Sequence, residues 1–126
     1  MNNSAKGIAM KENILLDKTL DFAVRIVKLR DFLVKKKEVI FSKQIVRSAT
    51  SIGANVNEAN YGVTKPDFIN KLHIALKECA ETEFWLKLII KSGYIDAKLG
   101  ESLLEDCLEI KRILVSSLKT VKKNIE

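Results

Sequence analysis

Apolar residues recur at three- and four-residue intervals in four separate stretches of the chain, and nowhere do apolar and polar positions alternate strictly. This pattern predicts four helices and no strand. The first stretch runs from about Asn13 to Lys37. Leu16, Leu20, Ala23, Val27 and Val34 fall on one helical stripe, and Leu15, Phe22, Ile26, Leu29 and Leu33 on a second. A helix with two apolar stripes buries more than one flank. Either it is central to the fold or its outer flank meets another subunit.

The second helix is expected to start at Ser42 as N-cap, with Phe41 and Val46 as a hydrophobic staple. Ile45, Ala49, Ile52, Val56 and Ala59 follow at heptad spacing and form its seam. Beside them runs a polar, mostly small stripe of Gln44, Ser48, Ser51, Asn55 and Glu58. Small polar residues let a neighbouring helix approach closely and offer it hydrogen bonds. The stripe is a candidate interface, with a solvated flank as the alternative.

Asn60, Tyr61, Gly62 and Val63 read as a turn. Thr64 then caps a third helix, Pro66 and Asp67 suit its first turn, and Val63 with Phe68 repeats the staple pattern. Its core stripe is Phe68, Leu72, Ala75, Cys79, Thr82, Leu86 and Ile89 or Ile90, and Gly93 is placed as a left-handed cap. Asp96 opens the fourth helix. Leu103, Cys107, Ile110, Leu114 and Val121 form its inner stripe, flanked by Leu104, Leu108, Val115 and Leu118.

Short connections between long helices favour antiparallel neighbours. The expected fold is therefore all-α, an antiparallel up-down four-helix bundle over residues 13–126, with residues 1–12 as a frayed or disordered tail. The chain has 126 residues, 47% hydrophobic and 30% charged, with one proline and five glycines. That suits one well-filled domain and excludes a disordered chain. No apolar run reaches the ~20 residues of a membrane span, and the polar start lacks the apolar middle of a signal peptide. The expected location is cytoplasmic, with no membrane partner. Cys79 and Cys107 sit within apolar patterns and read as reduced core residues.

Charge changes the picture. The net charge is +6 and it is unevenly spread. Residues 78–109 carry eight acids against three bases, whereas residues 111–123 carry five bases and no acid. Lys35, Lys36 and Lys37 form a second basic knot. Segregated positive charge suits a polyanion such as RNA or DNA, or serves solubility. The candidate nucleic-acid-binding residues are Lys35, Lys36, Lys37, Lys43, Arg47, Lys111, Arg112, Lys119, Lys122 and Lys123. No aromatic ladder for base stacking is evident, so binding is expected to be electrostatic.

Catalytic and metal chemistry is sparse. The single histidine, His73, lies away from the main core stripe and is followed four residues later by Lys77. It lacks the companions a zinc site needs. A di-iron bundle requires Glu-x-x-His pairs on two helices, but Asn70 stands three residues before His73 and there is no second histidine. The glycines form no phosphate-binding loop. Glu81 and Glu83 are the unusual carboxylates. Glu83 falls about 60° from the centre of the third helix's apolar face, so it needs a cationic or hydrogen-bonding partner, and a structural ion pair is favoured over catalysis. No cofactor and no enzyme activity are expected.

Gln44, Arg47, Ser51, Ile52, Asn55 and Glu58 resemble the second-helix pattern of the small four-helix-bundle proteins encoded in intervening sequences of bacterial 23S ribosomal RNA genes. That pattern is Gln, two residues, Arg, then Ser-Ile, two residues, Asn-Ile-Ala-Glu. Residues 75–86 are similar to the family's third helix, and Ser92 to Ile95 match the turn after it. Val56 and Asn57 replace the usual Ile-Ala, and Ala59 stands where many members have glycine. The resemblance covers about residues 13–123. It implies a four-helix bundle, a ring-shaped homopentamer and a basic surface for RNA or DNA. It extends distantly to the accessory protein of diversity-generating retroelements, a reverse transcriptase partner. It implies no enzyme activity.

The expectation is a non-enzymatic, homo-oligomeric bundle that binds nucleic acid by charge. The alternative is a protein-interaction scaffold, with a partner the sequence does not name.

Overall fold

The computed structural model describes residues 3–125, with side-chain surroundings for residues 14–123. Four helices follow one another: α1 (Asn3–Lys35), α2 (Ile40–Ala59), α3 (Lys65–Lys91) and α4 (Ala97–Ile125). There is no strand among the described residues. Each helix packs against two neighbours, α1 on α2, α2 on α3, α3 on α4 and α4 on α1. Joined by tight turns, they form the expected up-down four-helix bundle. The assignment of α1 from Asn3 precedes the start that periodicity gives. The expected frayed tail falls on residues whose side chains lie outside the described set.

The core is the sum of the inward stripes. Leu15, Phe22, Ile26, Leu29 and Leu33 of α1 meet Ile45, Ala49, Ile52, Val56 and Ala59 of α2. Leu72, Ala75, Cys79, Leu86 and Ile89 of α3 and Leu103, Cys107, Ile110, Leu114 and Leu118 of α4 complete it. The other α1 stripe stays outside: Leu20 is 62% exposed and Val34 48%. A core made of branched aliphatics at heptad spacing is what selects helix-on-helix packing over any sheet alternative.

The turns are set by local chemistry. At the end of α3 the Gly93 N–H donates to the Ile90 carbonyl at 3.0 Å and the Tyr94 N–H to the Ile89 carbonyl at 3.3 Å. That is a Schellman motif, and Gly93 takes the left-handed φ of 78° it requires. The end of α1 makes the same pair of bonds, Lys37 N–H to Val34 and Glu38 N–H to Leu33, both at 2.9 Å. Here the left-handed position is filled by Lys37, with φ 64°. Thr64 caps α3 by accepting from the Asp67 N–H at 3.2 Å, and Asp96 caps α4 by accepting from the Leu99 N–H at 2.8 Å.

The start of α2 differs from the expectation. The helix begins at Ile40, and Ser42 lies inside it, buried, its hydroxyl donating to the Val39 carbonyl at 2.9 Å. The exposed N–H of Phe41 is satisfied instead by the Glu38 carboxylate at 2.6 Å. A carboxylate reaching back from the turn replaces the serine cap, because the Schellman turn leaves only a few residues between α1 and α2. The staple that used Ser42 as reference falls with it. The Phe41 ring packs against Trp85 and Tyr94, with centroids 6.2 and 6.0 Å apart. Val63 is 91% exposed, so the second staple does not form either.

Candidate nucleic-acid interface

The up-down topology decides where the charges go. The end of α1, the start of α2, the end of α3 and the start of α4 share one end of the bundle. Lys36 shows this directly: its ammonium donates to the Tyr94 carbonyl at 2.9 Å, joining the α1–α2 turn to the α3–α4 turn. Lys35, Lys36, Lys37 and Lys43 therefore gather at this end. Lys119, Lys122 and Lys123 lie at the other, separated from them by most of a bundle length, roughly 30 Å or more. The candidate residues do not form one patch. The structure sends seven of them to two poles and leaves Arg47, Lys111 and Arg112 between.

Between the poles, five cations are paired across the seams. Lys18 bridges to Glu109, and Arg25 to Asp106 at 2.5 Å, closing α1 onto α4. Arg47 bridges to Glu81 and, at 3.2 Å, to Glu78, while Lys71 reaches Glu58 at 2.8 Å, closing α2 onto α3. Lys111 reaches Glu83 at 3.0 Å, closing α3 onto α4. Two of the candidates, Arg47 and Lys111, are thus committed to carboxylates. Lys35, Lys37, Lys43, Arg112, Lys119, Lys122 and Lys123 are exposed and make no salt bridge with a described residue. Lys36 is exposed too, but its ammonium also sits 4.6 Å from the centroid of the Phe32 ring. Arg112 and Lys119 share an open depression of 460 Å³ along α4 with Lys111, Val115, Ser116 and Thr120.

The polar stripe of α2 faces α3. Thr82, fully buried on α3, donates to the Ser48 hydroxyl at 2.8 Å, and Ser48 donates on to the Ile45 carbonyl at 3.3 Å. Both hydroxyls are thereby satisfied in the core, which removes the penalty for burying them. Glu58 holds Lys71. Asn55 donates to the Ser51 carbonyl and hydroxyl of its own helix, at 2.8 and 3.1 Å, and Gln44 is half-buried. Glu58 thus makes the inter-helix contact expected of this stripe, and Asn55 does not.

Glu81 accepts from the Trp85 indole N–H at 3.1 Å as well as from Arg47. Glu83 accepts from Lys87 and from Lys111. Lys87 first and Lys111 second hold its carboxyl below the ordinary range, against the opposing pull of burial. The structural ion pair expected of Glu83 is therefore present. His73 is half-buried on α3, and no group of three or more metal-ligating side chains occurs among the described residues.

The α1–α2 seam differs from the other three. No salt bridge crosses it among the described residues. It holds a 420 Å³ groove lined by Leu16, Thr19, Leu20, Ala23, Thr50, Gly53, Ala54 and Asn57.

A family model described as 23S rRNA-intervening sequence protein matches residues 11–116. The chain belongs to that family. Among solved structures, a protein of unknown function of the S23 ribosomal protein family from Bacteroides thetaiotaomicron is 54% identical. The match covers 86% of this chain and 98% of that one, with a TM-score of 0.85. No curated protein matches. Within this 23S rRNA-intervening sequence protein, the second-helix motif now has physical roles. Arg47 and Glu58 pin α2 to α3 from opposite ends of the stripe, Ile52 is core, and Ser51 with Asn55 closes a bond within α2. The motif is largely a packing device for the bundle.

Two contacts had no sequence signal of their own. The Arg47–Glu81–Trp85 network and the Lys36–Tyr94 bond join residues far apart in sequence, and only the antiparallel register brings them together. No helix among the described residues is long and apolar enough to cross a membrane.

Proposed function

We propose that this protein is a non-enzymatic, homo-oligomeric bundle that binds RNA or DNA through the cations at its ends. One observation carries the reading. Five cations along the sides, Lys18, Arg25, Arg47, Lys71 and Lys111, are bridged to carboxylates across the seams, while Lys35, Lys37 and Lys43 cluster at one pole and Lys119, Lys122 and Lys123 at the other, exposed and, like the more scattered Lys28, Lys77 and Arg112, without a salt bridge to a described residue. Charge left free in two clusters is available to phosphates.

Assembly is supported by the α1–α2 seam. Leu20, Val24 and Val34 are about half exposed or more, beside an apolar groove that no ion pair closes. A second copy covering this flank accounts for the outer stripe of α1, and the homopentamer expected from the resemblance is one such assembly. A ring repeats each cationic pole on every subunit, so weak contacts add by multivalency.

The alternative is a protein-binding scaffold. It is favoured by the exposed Val39, Ile40 and Phe84, 58%, 70% and 59% exposed toward the same end as Lys35 and Lys37. Gel shifts with RNA and DNA over a salt series, run beside light scattering, separate the two. Nucleic-acid affinity that falls steeply with salt, in a species heavier than the 14.2 kDa chain, supports the proposal. A monomer, or no binding even at low salt, contradicts it.

A further inference from the structure

Cys79 of α3 and Cys107 of α4 are both fully buried and free, and their sulfurs lie 3.8 Å apart. The helices are so close at this level that each sulfur also rests against the other cysteine's carbonyl, at 3.4 and 3.6 Å. Nothing in bundle packing requires two thiols to face each other, since any small apolar pair fills the same space. Glu83 stands one turn beyond Cys79, and Lys111 one turn beyond Cys107. Because α3 and α4 run antiparallel, those turns point in opposite directions. The Glu83–Lys111 bridge therefore spans the level of the cysteines.

We propose that Cys79 and Cys107 are a redox pair that closes to an intramolecular disulfide on oxidation by hydrogen peroxide, stapling α3 to α4 beneath the Glu83–Lys111 bridge. Both sulfurs are fully buried and each faces the other's carbonyl, so either can attack first, and Cys79 stands for both. The hydrogen bond from Cys107 favours its thiolate and burial opposes it, with the Lys111 charge adding to the first and Glu83 to the second. The Cys107 thiol is pushed up by that same hydrogen bond and by burial, so it keeps its proton until the second step.

The Cys79 thiolate attacks the terminal peroxide oxygen. The O–O bond breaks, water leaves after protonation, and Cys79 becomes a sulfenic acid. Cys107 sulfur then attacks Cys79 sulfur. The S–O bond breaks, and hydroxide leaves as water with the Cys107 proton. Two thiols lose two electrons and one peroxide becomes two waters. Closure requires the sulfurs to move from 3.8 Å to a bonded separation of about 2.0 Å. Because both sulfurs are buried, the oxidant enters only when the seam opens locally, so the reaction is slow and limited by that opening.

The test uses the folded wild-type chain and hydrogen peroxide, followed by unfolding in guanidinium, alkylation with iodoacetamide and mass spectrometry. The expected product is lighter by about 2 Da, resists alkylation at both positions, yields one cross-linked peptide joining Cys79 to Cys107, and reverts with dithiothreitol. Its guanidinium midpoint is raised relative to the reduced chain, because the crosslink restricts the unfolded state. Glu83→Gln frees Lys111 and loosens the cover, so this variant forms the disulfide several-fold faster. Two alkylatable cysteines after oxidation, stepwise gains of oxygen on the peptides holding Cys79 or Cys107 (those on Met1 and Met10 set aside), or disulfides only between chains overturn the proposal. An E83Q rate equal to wild type overturns the bridge as the cover of the pair.

Discussion

Lys37 occupies the left-handed position that ends α1, where its counterpart at the end of α3 is Gly93. A side chain there crowds the following carbonyl, which costs roughly 1–2 kcal/mol, partly offset by the extra freedom glycine has in the unfolded chain. Lys37→Gly is expected to raise stability by about 0.5–1 kcal/mol, seen as a Tm increase of a few degrees; an unchanged or lower Tm contradicts this account of the turn. Glu83 gives a second residue-scale prediction. Its folded pKa lies below the ordinary carboxylate value. Its stabilising contribution is therefore complete above the unfolded pKa of about 4.3 and is lost as pH falls through the lower folded value. Wild type should melt higher than Glu83→Gln at neutral pH, with the gap closing on acidification below about pH 4. A constant gap in a Tm-against-pH series contradicts the ion pair. At this scale the sequence was readable where the signal is local, as at Thr64, Gly93 and Asp96. It misled at Ser42, because the competing cap, Glu38, belongs to a turn whose shape depends on Lys37.

For the elements, periodicity was a sufficient guide to which face of α2, α3 and α4 turns inward, whereas for α1 it offered two apolar stripes and only the packing shows that the one through Phe22 is core. All five residues of the α2 seam are buried, as are most of the α3 and α4 inner stripes. What periodicity does not contain is which helix a flank meets. The stripe of Ser48 and Glu58 has the right chemistry for an interface, but only the register of α2 against α3 shows that the partners are Thr82 and Lys71. Gly100 is a further case. It reads as an indifferent helix residue, yet a Cβ there would stand 2.5 Å from Ile90 Cγ1 and 2.8 Å from its Cδ1. Ile90 is β-branched and stiff, so it yields poorly. Gly100→Ala is expected to destabilise by about 1 kcal/mol although alanine is the better helix former, since overpacking of roughly 1–3 kcal/mol outweighs propensity. A higher denaturant midpoint for G100A contradicts this tight α3–α4 crossing.

For the whole molecule, topology converts a sequence-level excess of charge into two poles. The basic knot after α1 and the basic run of α4 were both visible in the sequence. That they sit at opposite ends, and that Arg47 and Lys111 are committed to carboxylates across the seams, follows only from the antiparallel arrangement. The central claim is that the unpaired polar cations contact phosphates. Lys36 is held by the Tyr94 carbonyl, so the informative variants are Lys35→Gln/Lys37→Gln/Lys43→Gln at one end and Lys119→Gln/Lys122→Gln/Lys123→Gln at the other. Each lost phosphate contact removes about 0.9 from the log–log salt slope on duplex DNA and about 0.7 on single strands. The decisive measurement is the affinity of wild type and both triple variants for RNA and DNA over a salt series. At least one triple variant is predicted to flatten the slope by about 2–3 and to weaken binding similarly for every sequence tested. Slopes and affinities unchanged in both variants would contradict the claim that these poles are the binding surface.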